Sequence, residues 1–361
     1  MSRKINFGAG PATLPLPVLE QIKEEFVDYK GQGLSIVEMS HRSKTYDEIH
    51  HEAMSLVSEL LGLPDSYKVL FLQGGATLQF AMIPMNLLQG KKSCDFTVTG
   101  RWASKAYDDA VKFGQVNVLY DGKENGYTEL PDPKSLKVNP EAEYLHITSN
   151  ETIGGIQWQD WPDTGSVPIV ADMSSDIMSR RIPVEKFGLI YAGAQKNLGP
   201  AGATLVIIRD DLLEKCDDGL PAYLNLKLQA KKDSLYNTPP VFAVYAIKLV
   251  LEWMRNEGGV EEFEKRAEQR SSAIYGVIDA YPEFYRSPVA KKDRSKMNVV
   301  FRLPTEDLEK KFLAEAEKEG MIGLKGHRSV GGCRASIYNS MPVEGALKLA
   351  EFMKDFAEKN G

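Results

Sequence analysis

Lys196 sits in the segment YAGAQKNLGPAG at 191–202, behind a short apolar run and among alanines and glycines. Those small neighbours would leave room for a bulky group to reach the amine, which a solvated surface lysine does not need. Earlier in the chain the apolar run PIVAD, at 168–172, ends in Asp172. A carboxylate at the C-terminal end of a buried strand lies where ligands of open α/β sheets gather. Asp172 would equally serve as the N-cap of a helix starting just after it. An amine able to condense with an aldehyde, beside a carboxylate able to keep a heterocycle nitrogen protonated, is the equipment of a pyridoxal phosphate site, where the ring acts as an electron sink.

A phosphate would need amide donors, and QGGAT at 73–77 offers glycines followed by a helix N-terminus. By itself that turn is also readable as a plain tight turn. Trp102, after the strand expected at 96–99, would stack on a flat ring or pack into the core. Cations stand in polar loops at His41-Arg42, His327-Arg328 and Arg334. An isolated arginine is usually solvated or in a surface ion pair. Two His-Arg pairs and a glycine-flanked arginine in a chain of net charge -6 instead suggest a substrate with two anionic groups, because a guanidinium fork grips carboxylate or phosphate in two places. Cys333 lies directly before an expected strand, which argues for packing over a nucleophilic role in sulfur chemistry. His50-His51 has no partner at metal-ligand spacing, so no metal is expected.

These residues need elements to hold them. Short apolar runs at 68–72, 96–99, 116–120, 144–148, 168–171, 189–192 and 204–208 read as strands, and 76–88 as a helix entered through Gly74 and Gly75. Continuous apolar strands of this length predict a largely parallel sheet covered by helices on both faces. After Pro239-Pro240 the pattern changes to long helices at 241–258 and 260–278, a strand at 298–303, a helix at 306–319, a strand at 334–338 and a closing helix at 343–359. The expectation is a large α/β domain over 15–255 and a small α+β domain over 256–361, joined by the extended segment 1–14.

The chain has 361 residues, 43% hydrophobic and 26% charged, enough to build a full core. Its acidic balance speaks against a nucleic-acid-binding face. The uncharged stretch 69–90 is broken by Gly74, Gly75 and Pro84 and reads as strand, turn and helix rather than a membrane span. Three scattered cysteines, Cys94, Cys216 and Cys333, and an N-terminus without an apolar leader lead us to expect a cytoplasmic protein.

The sequence resembles the phosphoserine aminotransferase family of the class V, fold-type I pyridoxal phosphate enzymes. The resemblance runs nearly end to end, through NFGAGPA at 6–12, EMSHRS at 38–43, QGGA at 73–76, Gly100 to Trp102, the lysine segment, MNVVF at 297–301 and RASIYN at 334–339. It implies a fold-type I transferase, with a mainly parallel mixed sheet between helices in the large domain and a small C-terminal α+β domain. It implies that Lys196 carries the cofactor covalently, that Asp172 contacts the ring nitrogen, and that Trp102 stacks on the ring with Thr152 beside it. Ala76, Thr77 and Gln195 would bind the cofactor phosphate, joined by Asn237 and Thr238 of a partner chain in a homodimer with shared sites. Arg42 and Arg334 would hold the substrate's anionic groups, with His41, His327 and Arg328 completing the pocket. Some members carry an arginine where this chain has Thr77, which leaves fewer cations for a substrate phosphate.

The expected activity is transfer of the amino group between L-glutamate and 3-phosphooxypyruvate, giving O-phospho-L-serine and 2-oxoglutarate in serine synthesis. The analogous phosphorylated substrate of vitamin B6 synthesis, 3-hydroxy-2-oxo-4-phosphooxybutanoate, is a candidate too. The rivals are an alanine–glyoxylate aminotransferase or a cysteine desulfurase of the same class, whose substrates lack a second strong anion. A non-catalytic cofactor-binding regulator would normally bring a basic DNA-binding extension, and this chain shows none.

Overall fold

The computed structural model describes residues 3–90 and 92–361. Met1, Ser2 and Lys91, which fall within the stretches assigned above to the two domains, lie outside the described residues. Seven strands make the main sheet: β1 (Tyr67–Leu72), β2 (Ser93–Val98), β3 (Gln115–Asp121), β4 (Leu145–Thr148), β5 (Ile169–Asp172), β6 (Phe187–Gly193) and β7 (Thr204–Arg209). Their spatial order is β1-β7-β6-β5-β4-β2-β3. β7 runs antiparallel to both of its neighbours, and the other pairs are parallel. The sheet is therefore mixed and mainly parallel, and all strands but one point their C-terminal ends to the same edge.

Both faces are covered, which explains why the strands read as unbroken apolar runs. Successive residues of β7 go to opposite sides, with Leu205 and Ile207 in one core and Val206 and Ile208 in the other. On the first side lie α1 (Leu16–Glu25), α2 (Lys44–Leu61) and, later in the chain, α5 (Val241–Asn256). On the second side lie α3 (Gly75–Leu87) and α4 (Arg101–Ala110). β3 is one of the two edge strands, with β1 at the other end, and its partly exposed side chains suit that place.

The chain's last third adds α6 (Gly259–Ala280), β8 (Asn298–Phe301), α7 (Glu306–Lys318), β9 (Cys333–Ser336) and α8 (Val343–Asn360), with β8 and β9 paired antiparallel. Their core is separate, built around Phe301, Phe312, Leu349 and Phe356. α6 belongs to both bodies: Val260 and Phe263 enter the first core, Ile274 and Ile278 the second. The N-terminal segment joins the second body, since Ile5 and Asn6 pair in parallel with Met321 and Ile322, and Phe7 is buried there. No described helix is long and apolar enough to cross a membrane.

Candidate active site

The residues singled out for the cofactor stand at or after the C-terminal ends of different strands on one edge of the sheet. Asp172 is the last residue of β5, in register with Thr148 of β4 and Tyr191 of β6. Residues 173–179 form turns, not a helix, so the alternative role as a helix N-cap is not taken. Instead the Asp172 carboxylate accepts the Ser174 N–H at 2.9 Å and closes a tight turn. The Ser174 hydroxyl in turn accepts the Gly193 N–H at 3.0 Å, tying the ends of β5 and β6 together. Burial raises the Asp172 pKa, opposed by its hydrogen bonding to Ser174 and by the nearby Lys196 charge.

Lys196 follows β6 by three residues. Its Nζ donates to the Thr152 hydroxyl at 2.6 Å and lies 5.8 Å from the centre of the Trp102 ring. Desolvation lowers its pKa to about 8, against the pull of Asp172 and Glu151 in the other direction. Arg334, on β9, donates from Nη1 to the Thr152 carbonyl at 3.3 Å, which brings a guanidinium of the second body to the same spot. The loop is pinned from two sides, by the Ala12 N–H donating to the Gln195 carbonyl at 2.9 Å and by the Asn339 N–H donating to the Asn197 side chain at 2.9 Å.

Gly74 and Gly75 both take positive φ, at 88° and 65°, so the turn from β1 into α3 is one that glycine makes without strain. A Cβ at Gly74 would lie 2.6 Å from the Leu78 side chain. Ala76 and Thr77 stand in the first turn of α3, where free amides and the helix dipole favour an anion. Trp102 stands in the first turn of α4, half-buried, with the Lys105 Nζ 4.5 Å from its ring.

The residues present fit a flat, phosphorylated heteroaromatic aldehyde. They offer an amine poised beside a tryptophan face, a buried carboxylate on the same edge, and a glycine-opened helix start. Among the described residues, Trp102 Nε1 and Arg334 Nε are enclosed without a hydrogen-bond partner, as expected of a pocket built for polar company.

The cations gather only in part. Burial and the charges of Arg334, Arg101, Arg328 and Lys105 all lower the pKa of His327, so these five groups share one region. His41 and Arg42 lie in the turn before α2, with Arg42 exposed. Asn237 is half-buried and Thr238 exposed; the Thr238 carbonyl accepts from Gln73 Nε2 of the same chain at 3.4 Å. No hydrogen bond or ion pair among the described residues joins 41–42 or 237–238 to Lys196 within one chain.

Sequence reasoning passed over Arg101, Lys105 and Glu151. The Glu151 carboxylate accepts the Trp102 N–H at 3.1 Å and the Ala103 N–H at 2.8 Å. Burial pushes its pKa up to about 7 despite those two amides. One signal was available: Glu151 is the only Asp, Glu, Lys or Arg between residues 144 and 159. Cys333 is fully buried and burial raises its thiol pKa strongly, so it packs and is not placed as a nucleophile. Among the described residues no group of His, Cys, Asp or Glu assembles a metal site.

Residues 5–349 match the family model described as aminotransferase class-V. A phosphoserine aminotransferase of Desulfosudis oleivorans is 53% identical over 364 residues, covering 100% of both chains. The solved phosphoserine aminotransferase from Bacillus circulans subsp. alkalophilus superposes with a TM-score of 0.97 at 50% identity, covering 99% of each chain. A pyridoxal phosphate-bound phosphoserine aminotransferase from Trichomonas vaginalis, 36% identical, matches 98% of this chain and 100% of its own with a TM-score of 0.92. With half its residues shared over its whole length, and with the lysine, carboxylate and helix start that such a cofactor needs on one sheet edge, the chain belongs to the class-V aminotransferase family, in its phosphoserine aminotransferase branch.

Proposed function

We propose that this chain moves an amino group between L-glutamate and 3-phosphooxypyruvate, forming O-phospho-L-serine and 2-oxoglutarate in L-serine biosynthesis. The observation that carries the reading is the Lys196 amine, fixed by Thr152 beside the Trp102 face, with the Arg334 guanidinium bonded to the same Thr152. Lys196, Asp172, Trp102 and Thr152 would hold the cofactor's ring, and Ala76, Thr77 and Gln195 its phosphate. When bound, pyridoxal phosphate supplies an electron sink for the charge that develops at the substrate Cα.

The chain's own residues do the rest. Asp172 presents a negative charge that favours a proton on a facing ring nitrogen. The Lys196 amine, with its pKa lowered to about 8 by burial, is neutral often enough near neutral pH to take a proton from a substrate Cα and return it. Thr152 accepts from that amine and so limits where it can reach. Arg334, with His327 and Arg328 nearby, orients substrates that carry two anionic groups, and His41 and Arg42 complete the set. Alanine and glyoxylate would leave much of this positive charge unused, and the burial of Cys333 removes it as a desulfurase nucleophile.

The working unit in this reading is a homodimer in the cytoplasm. Exposed Leu34 and Val37 precede the 41–43 turn in the chain, and exposed Tyr236 adjoins Asn237 and Thr238. A second chain covering these apolar groups would carry Asn237 and Thr238 to its neighbour's site.

The test is an assay of the purified protein with L-glutamate and 3-phosphooxypyruvate, following 2-oxoglutarate and phosphoserine, beside Lys196→Ala. Turnover in the wild type and its loss in the variant are expected. Faster turnover with alanine and glyoxylate, or sulfide release from cysteine, would overturn the reading. A particle that light scattering shows to be monomeric and fully active would remove the shared site. The same assay with 3-hydroxy-2-oxo-4-phosphooxybutanoate tests the second substrate.

A further inference from the structure

We propose that Glu151 is a positioning residue for the reaction, whose carboxylate clamps the first turn of α4 and thereby sets the Trp102 ring opposite Lys196. The inference rests on the cofactor site described above. α4 begins at Arg101 with Gly100 before it, and the N-cap position offers no side chain to take the helix's first amides. Glu151 supplies the cap from another part of the fold, one carboxylate oxygen on the Trp102 amide at 3.1 Å and the other on the Ala103 amide at 2.8 Å. Gly100 makes room for it: a Cβ there would lie 2.3 Å from the Glu151 Cδ. A cap drawn from the residues just before the helix would order only the helix. One drawn from residue 151 fixes the helix relative to the segment that holds the lysine.

That segment is itself rigid. The Asn150 side chain donates to Ser175 at 2.7 Å and to Asn298 at 2.8 Å, and accepts from Ser295 at 2.5 Å. The Glu151 carbonyl accepts the Gly155 N–H at 2.8 Å. Thr152, the next residue, meets Lys196 through its hydroxyl and Arg334 through its carbonyl. Two consecutive residues thus set the spacing of the stacking ring, the amine and the substrate guanidinium.

Glu151→Gln keeps the shape but turns an acceptor into a donor facing an amide. Gly100→Ala crowds the carboxylate without altering it, and carries the test if Glu151→Gln does not fold. In cofactor-loaded protein, both variants should lose visible absorbance on dilution at pyridoxal phosphate concentrations about tenfold higher than the wild type does. Deuterium uptake in a peptide covering 101–110 should quicken, and kcat should fall with KM for glutamate little changed. A folded variant with a lower melting temperature but wild-type cofactor retention and kcat would overturn the proposal and leave Glu151 an ordinary helix cap. If the wild type itself takes up no pyridoxal phosphate, the reading of the site fails and this inference fails with it; uptake by the wild type separates the two cases.

Discussion

Replacing Thr152 by Val removes one oxygen from the site and changes little else, since the two side chains have nearly the same shape. The lost oxygen accepts from Lys196 Nζ at 2.6 Å, and Thr152 is buried, so no water easily takes its place. A hydrogen bond to a charged group contributes about 1.5–3 kcal/mol, and a pKa change of one pH unit corresponds to about 1.4 kcal/mol. The ammonium form loses most, so the Lys196 pKa should fall from about 8 by roughly one to two pH units. At neutral pH the neutral amine would rise from about a tenth of the population to about half or more. The assay is competitive labelling of cofactor-free protein with trace acetic anhydride across pH 5–10, reading the Lys196 peptide by mass spectrometry against an exposed lysine. The Thr152 carbonyl that Arg334 uses stays in place, so its grip should persist. An unchanged or higher midpoint for Lys196 would refute the role given to the Thr152 hydroxyl.

Asp172→Asn preserves an acceptor for the Ser174 amide but removes the charge, so the fold should stand while turnover drops by roughly a hundredfold or more, measurable by circular dichroism and single-turnover kinetics with glutamate. His146, buried between Phe96 and Tyr191, has its pKa lowered to about 3 by desolvation. Because the unfolded chain binds a proton near pH 6.5 that the folded chain refuses, stability should be lost as pH falls from 6.5 towards 3, with a slope of up to about 1.4 kcal/mol per pH unit; His146→Gln should flatten that slope in urea unfolding series. Phe312→Ala, at the centre of the second core against Phe301, Phe352 and Phe356, should destabilise that body by about 3–5 kcal/mol in the same unfolding assay.

The fold was legible where local pattern and burial agree. Strands covered on both faces are apolar over most of their length, so β1, β5, β6 and β7 stand out within a residue or two of their observed limits. Glycines at 74 and 75 mark the turn into α3 because only a residue without Cβ makes that turn cheaply. Lys196 and Asp172 are legible for a similar reason, as charged residues set at the ends of apolar runs. The resemblance to known enzymes then assigned roles that spacing alone left open, such as that of Thr152.

What the sequence could not decide is how residues far apart in the chain meet. That Thr152 takes both Lys196 and Arg334 depends on the packing of the second body against the first, and no local period encodes it. Glu151 capping a helix that starts fifty residues earlier follows from strand order, since β2 and β4 are neighbours in the sheet, and Arg101 and Lys105 join His327 because the second body packs against the start of α4. Residue types determined the chemistry available to this protein; tertiary structure decided which groups share a pocket, because distances across a sheet are set by its topology and not by separation along the chain.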